Sequence, residues 1–458
     1  MKHRTPAIAA GILLCLLLLL MLAHAVAARI TGRKVQELLD RFAADGRPMT
    51  AAEVIPPPVP DDENGARLYL GAAQHLKEIP CDETNLLHWL GAAIGQARGR
   101  GLPEDERRRL EEWMDSPEVA QAIEKVRQAV MLPACRFDND WNRGMAMVMP
   151  HLIPMRNLVL LVDEHSRRQA AAGDRAGAWE SAWLALRAAD ALRGEPTLVS
   201  QLTRAHLAGF ALERIAALAA DGPPEAALAA RLDRRLEEMS DREPLLRAMD
   251  GERLLFADPV FTGSFADLAK LSDSEISSGR MLLGRLIYSR PVRNVDRAAH
   301  LEALLEFSRQ LKLPYARVPK DIFDRWELPR AALLTRVILP SLGSARHRYE
   351  HFIAQVCVTR TGLALERHRA AHGEYPAALA ALDPQLLSPA PDDTFTGAPL
   401  IYRRTAEGFL LYSAGPDGRD DGGKRRPPVS TRHDAYDIPW GSPPKPEAVA
   451  ESGAAPSE

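Results

Sequence analysis

Near the C-terminus the stretch "GFLLYSAGPDGRDDGG", Gly408 to Gly423, gathers three aspartates (Asp417, Asp420, Asp421) and five glycines behind a short apolar run. Carboxylates in a tight loop suit a hard cation, which takes six to eight oxygens from carboxylates, backbone carbonyls and water. Asp and Gly also cluster in turns because both tolerate unusual backbone angles, so a plain solvated hairpin is the competing reading. The loop is not an EF-hand. Arg419 occupies its third position, and Pro428 stands where a bidentate glutamate belongs.

Other groupings carry weaker chemistry. His368 and His372 stand four apart on a helical stretch beside Glu366, the spacing of a two-histidine metal face. With no third ligand in the pattern, a helix-end histidine favoured by the dipole is the simpler expectation. Asp138, Asp140 and Asp163 could serve a hydrolase only if the fold brings them together, since acid-rich loops usually cap or solvate. No glycine-rich phosphate loop or nucleophile elbow occurs.

The elements around these residues read as mainly helical. The chain of 458 residues balances 58 basic against 61 acidic side chains, so it carries no nucleic-acid footprint. Lys2, His3 and Arg4 precede an apolar run from Ala7 to Ala28 that is long enough to cross a bilayer. Small residues at Ala23–Ala25 and Ala25–Ala27 would allow cleavage of a signal peptide. The run nevertheless continues without a break into "RITGRKVQELLDRFAADG", an amphipathic helix, which favours an uncleaved anchor. The expected arrangement is a membrane segment over 1–30, and a juxtamembrane helix with a proline-rich spacer over 31–60. An all-helical domain, a hairpin bundle or short solenoid, follows over 61–340. A small α+β domain at 341–440 and a disordered tail at 441–458 complete it. Within the helical part, Ser116 is the expected N-cap ahead of Pro117. The grooves of such a domain would suit a protein or peptide partner. Cys81 and Cys135 are the expected disulfide pair, because both lie beside loop residues.

From Phe352 onward a longer order of motifs emerges. A long helix, expected from Leu342 to His372 and capped by Gly373, runs into Gly373-Glu374-Tyr375-Pro376. Asp393 to Pro399 follows, then the hairpin "PLIYRR"/"GFLLYS" with Gly408 as its flexible turn residue, then "GPDG", and finally "HDAYDI". This order resembles the C-terminal part of the type II secretion major pseudopilins and covers about a fifth of the chain. The resemblance implies a calcium ion held between the hairpin loop and the closing Asp-Ile. Asp417 and Asp437 match the family's aspartates, Asp434 lies close enough to be a third ligand, and carbonyls near Leu411 and Ser413 would complete the shell. The chain departs from that family at its N-terminus, where the apolar run has neither a prepilin peptidase site nor the early glutamate. The expectation is therefore a single-pass protein of a bacterial inner membrane, with its bulk periplasmic and a pseudopilin-like head. Its task would be structural or interactive. An accessory role in a secretion apparatus and an envelope hydrolase are the alternatives.

Overall fold

The computed structural model describes residues 4–77, 104–263, 288–319, 326–425 and 436–441. It is 67% helical and 5% strand, so the chain is mainly α, with one small antiparallel sheet near the C-terminus. Two compact units divide it. Unit 1 comprises Met1–His165, Trp183–Ala208 and Asp241–Tyr349, and unit 2 comprises Ser166–Ala182, Gly209–Ser240 and Glu350–Glu458. The sequence suggests one boundary near 341, whereas each unit is built from three separate stretches.

Helix α1 (Arg4–Ala44) is continuous from the apolar run into the amphipathic stretch. Its upper part, Leu13 to Leu22, is exposed and is long and apolar enough to cross a membrane. Val35, Leu38 and Phe42 are buried at i, i+3 and i+7, the spacing of one helix face. That face packs in unit 1, where Asn294 Nδ2 donates to the Ala28 carbonyl (3.2 Å) and to Thr31 Oγ1 (3.1 Å). Gly46, at φ 68°, ends the helix in the left-handed conformation that suits glycine.

Short helices follow: α2 (Ala66–Lys77), α3 (Glu104–Met114) and α4 (Pro117–Met131). Ser116 caps α4 as expected, accepting from Val119 N at 3.4 Å, with Pro117 at the first helical position. Asn64 joins the start of α2 to the segment after α4. Its Oδ1 accepts from Ala66 N (3.1 Å) and Arg136 N (2.8 Å), and its Nδ2 donates to the Arg136 carbonyl.

The middle of the chain forms α5 (Leu152–Ala171), α6 (Arg175–Asp190), α7 (Leu198–Ala219), α8 (Ala226–Met239) and α9 (Glu243–Gly251). Within unit 1, Arg204 of α7 is fully buried and meets Asp190 at the end of α6, with Nη2–Oδ1 at 2.6 Å and Nε–Oδ1 at 2.7 Å. Arg204 Nη1 also donates to the Tyr349 hydroxyl (3.1 Å), which donates to the Asp241 carbonyl (3.2 Å).

Two further long helices are α10 (Arg290–Leu311) and α11 (Leu333–His372). The sequence suggests that Pro340 closes a segment and that the last helix begins at Leu342. The helix instead starts nine residues earlier and runs through Pro340. Its first turn is held by Asp296 of α10, wholly buried, which accepts from Leu334 N (2.8 Å), Thr335 N (3.0 Å) and Thr335 Oγ1 (2.7 Å). An acceptor from a distant helix satisfies the free N–H groups of that turn, and local sequence cannot reveal it.

In unit 2, β1 (Ile401–Arg404) and β2 (Phe409–Ser413) form the expected hairpin, and β3 (Ile438–Pro439) adds a third strand beside β2. The register pairs Tyr402 with Leu411 and Ser413 with Ile438. Gly408 closes the hairpin turn, its carbonyl accepting from Thr405 N (2.9 Å), without adopting a positive φ. The sheet covers α11 through Leu365, Leu400, Leu411 and Leu387, with Tyr375, Phe409 and Trp440 packed around them. Trp440 lies directly on Gly362 of α11, where any Cβ would overlap its ring.

These contacts set two stability expectations. Gly362→Ala forces the Trp440 ring off the helix and costs about 1–3 kcal/mol, measured by chemical denaturation; an unchanged midpoint would refute that packing. Asp190→Ala leaves the Arg204 guanidinium buried without its counter-ion and costs about 3–5 kcal/mol. The same assay would overturn the clamp if this variant lost less than a typical surface change.

Candidate functional site

The C-terminal loop acts on Asp437, next to strand β3. Asp437 is 1% exposed, and its Oδ2 accepts from Gly423 N (2.7 Å) and Asp421 N (3.1 Å). Its own N–H donates to the Lys424 carbonyl (2.6 Å). The glycines allow this wrap. Gly415, at φ 65°, passes so close to the Tyr436 carbonyl that no side chain fits, and Gly423 is likewise left-handed. Asp420 is held outward, accepting from the Tyr412 hydroxyl (2.6 Å) and Gly422 N (2.9 Å).

Two carboxylate oxygens remain buried without a hydrogen-bond partner: Asp437 Oδ1 and Asp421 Oδ2. Burial raises the Asp437 pKa to about 6; the Gly423 N–H opposes the rise, and the Asp421 and Asp420 charges add to it. A buried carboxylate lacking a partner must neutralise by protonation or by meeting a cation.

The expected ligands fall in different places. Asp417 is half-buried and its Oδ1 accepts from Arg419 N (3.1 Å), an ordinary turn role. Leu411 and Ser413 are buried on β2; the Leu411 carbonyl accepts from Trp440 N (2.9 Å), and the Ser413 hydroxyl donates to Asp393 (2.7 Å). Asp434 lies outside the described residues. Asp421, read from the sequence as a turn former or a charge partner for nearby arginines, donates its backbone N–H to Asp437, and its charge helps raise the Asp437 pKa. Among the described residues, no group of three or more His, Cys, Asp or Glu side chains is arranged to hold a metal ion.

Asp393, the head of the segment ending at Pro399, is buried and saturated. It accepts from Ser413 Oγ, Phe395 N (2.9 Å) and Ala414 N (2.9 Å), and so fastens its loop to the end of β2. Its neighbour Thr394 donates to Glu350 of α11. Tyr375 of the Gly-x-Tyr-Pro turn donates to Glu366 (3.1 Å), and Tyr402 donates to the Pro376 carbonyl (2.6 Å). Glu366 also pairs with Arg369 (3.4 Å). His368 and His372 stack with ring centroids 4.2 Å apart, and burial, then the neighbouring His372, lowers the His368 pKa.

In unit 1, Asp138 is fully exposed and Asp140 is exposed, capping a 3₁₀ turn through Asn142 N (3.3 Å). Asp163, in contrast, is buried in α5. A different polar cluster is present that the sequence did not disclose. Glu195 contacts His151 Nε2 (2.8 Å), accepts from the Ser200 hydroxyl, and is approached by Asn139 Nδ2 (3.4 Å). The Glu195 carboxylate, rather than the His151 ring, accepts from the Ser200 hydroxyl. His151 (3%), Glu195 (4%) and Ser200 (0%) are also sealed from solvent, which marks the cluster as a buried brace. Cys135 carries a free thiol whose pKa is raised by burial and by the Glu195 charge. Its expected partner, Cys81, lies outside the described residues.

No protein-family model, curated protein or solved structure matches this chain.

Asp437 sets a pH dependence. Its folded pKa, about 6, lies above the roughly 3.9 of an unfolded aspartate. The folded state therefore holds the proton more tightly. Its contribution is fully present below about pH 4 and is lost as pH rises through 6. In chelator, the thermal midpoint of the full chain should fall relative to Asp437→Asn between pH 4 and 6.5. Parallel curves for the two proteins would remove Asp437 as the source.

Proposed function

We propose that this chain is a membrane-anchored structural or interaction protein, with its bulk outside the cytoplasm and a small pseudopilin-like head stabilised by a divalent cation. The observation that carries the reading is the continuity of α1. The apolar stretch that can cross a membrane and the buried Val35–Leu38–Phe42 face belong to one helix, tied at Ala28 and Thr31 to Asn294. Cleavage after Ala25 or Ala27 would cut this helix within a turn of those bonds. An uncleaved anchor leaves them intact.

The head reading draws on the order of long helix, Tyr375 turn, hairpin and closing Asp437-Ile438 strand. A cation fits the orphaned oxygens of Asp437 and Asp421 better than the turn-bound Asp417. Calcium accepts such a mixed shell of carboxylates, carbonyls and water, and would neutralise two buried charges that repel each other. Its role would be to lock the glycine-rich loop onto β3.

Two measurements test this. Intact mass of the protein from the membrane fraction of a bacterial host should include residues 1–28, and alkaline carbonate should not extract it. A soluble species beginning just after Ala25 or Ala27 would overturn the anchor. At pH 7, millimolar calcium should raise the thermal midpoint of the full chain, and Asp437→Asn should abolish the rise. An equal response in wild type and variant would eliminate the cation site.

A further inference from the structure

Unit 1 contains an open groove of about 550 Å³, within the range of small-molecule sites. One wall is a face of α7, where Leu198, Val199 and Leu202 present apolar side chains. Across from it stand Arg156 of α5 and Arg348 of α11, both reaching the groove. Among the described residues neither arginine makes a hydrogen bond or ion pair. Arg156 is half-buried and Arg348 is exposed.

One acid, Glu252, also lines the groove. Glu252 Oε1 is occupied by Leu198 N (2.8 Å) at the start of α7, and burial raises the carboxyl pKa, favouring its neutral form. The groove combines an apolar wall with two guanidinium forks and one carboxyl group, that of Glu252, one of whose oxygens is already engaged at the start of α7. Val199 is 46% exposed and Ile153, one turn before Arg156 on α5, is 61% exposed, so apolar surface continues around the opening.

We propose that this groove binds a single-chain anionic amphiphile, a long-chain carboxylate whose acyl chain lies along the Leu198–Leu202 face and whose carboxylate meets Arg156 and Arg348. Charge complementarity selects this occupant. Guanidinium presents a planar pair of donors matched to a carboxylate, and the apolar wall rewards a hydrocarbon tail over a small polar anion. The site is separate from the cation loop of the head and does not depend on it.

The test uses the full chain in nanodiscs of zwitterionic lipid, with empty nanodiscs as the reference. Carboxyl-¹³C-labelled dodecanoate is followed by NMR, and dodecanol and butyrate are run as competitors. Saturable dodecanoate binding is expected, displaced poorly by either competitor, and weakened at least about tenfold in Arg156→Gln/Arg348→Gln. Leu202→Asp should weaken it similarly, through the tail rather than the head. Signal no greater than in empty nanodiscs, displacement by dodecanol as effective as by dodecanoate itself, or unchanged affinity in the arginine variant would each overturn the proposal. The competitor comparison uses the unaltered chain, so the test stands even if a variant fails to fold.

Discussion

Burial of the Arg204 guanidinium is the constraint around which unit 1 is organised. A fully buried cation is costly unless an anion and hydrogen bonds surround it, so Asp190, Tyr349 and the Asp241 carbonyl must converge on it. These groups come from the end of α6, from α11 and from the approach to α9. Asp296 does the same work for the start of α11, and Glu195 for His151, Ser200 and Asn139. The helices here are rich in alanine and leucine and would pack in several registers on apolar contact alone. Buried polar groups with strict partners admit far fewer arrangements.

Unit 2 uses a complementary strategy. Its hairpin is too short to be stable alone and leans on α11 through Leu365, Leu400 and Leu411, with Trp440 seated on Gly362. Asp393 has all its acceptor needs met and pins one loop. Asp437 and Asp421 each keep one buried carboxylate oxygen without a partner. Saturated and unsaturated carboxylates thus lie within one small sheet. The difference separates a structural hub from a candidate ligand.

The groove of unit 1 shows the same contrast on a surface. Arg156 and Arg348 stand at the rim of a leucine-lined groove and, among the described residues, make no hydrogen bond or ion pair. Neither is distinguished in the sequence. Only the approach of α5, α7 and α11 puts them beside one apolar wall.

Local pattern was sufficient where local physics decides. The apolar run, the Ser116–Pro117 start, the Gly373 stop and the hairpin over 401–413 follow from hydropathy, capping and alternation between near neighbours. It failed at Pro340, because Asp296, about forty residues away, holds the first turn of a helix that the proline alone would not end. In the opening loop the family resemblance singled out Asp417 and left Asp421 as a turn former or charge partner. Both are aspartates beside glycine, and only the fold shows that the Asp417 carboxylate accepts from Arg419 N while the Asp421 N–H donates to Asp437. By itself, then, the sequence determined the elements, the apolar N-terminal helix and the presence of an acid-rich turn. The tertiary structure alone decided which charges are matched and which are left over, because that depends on contacts between residues far apart in the chain.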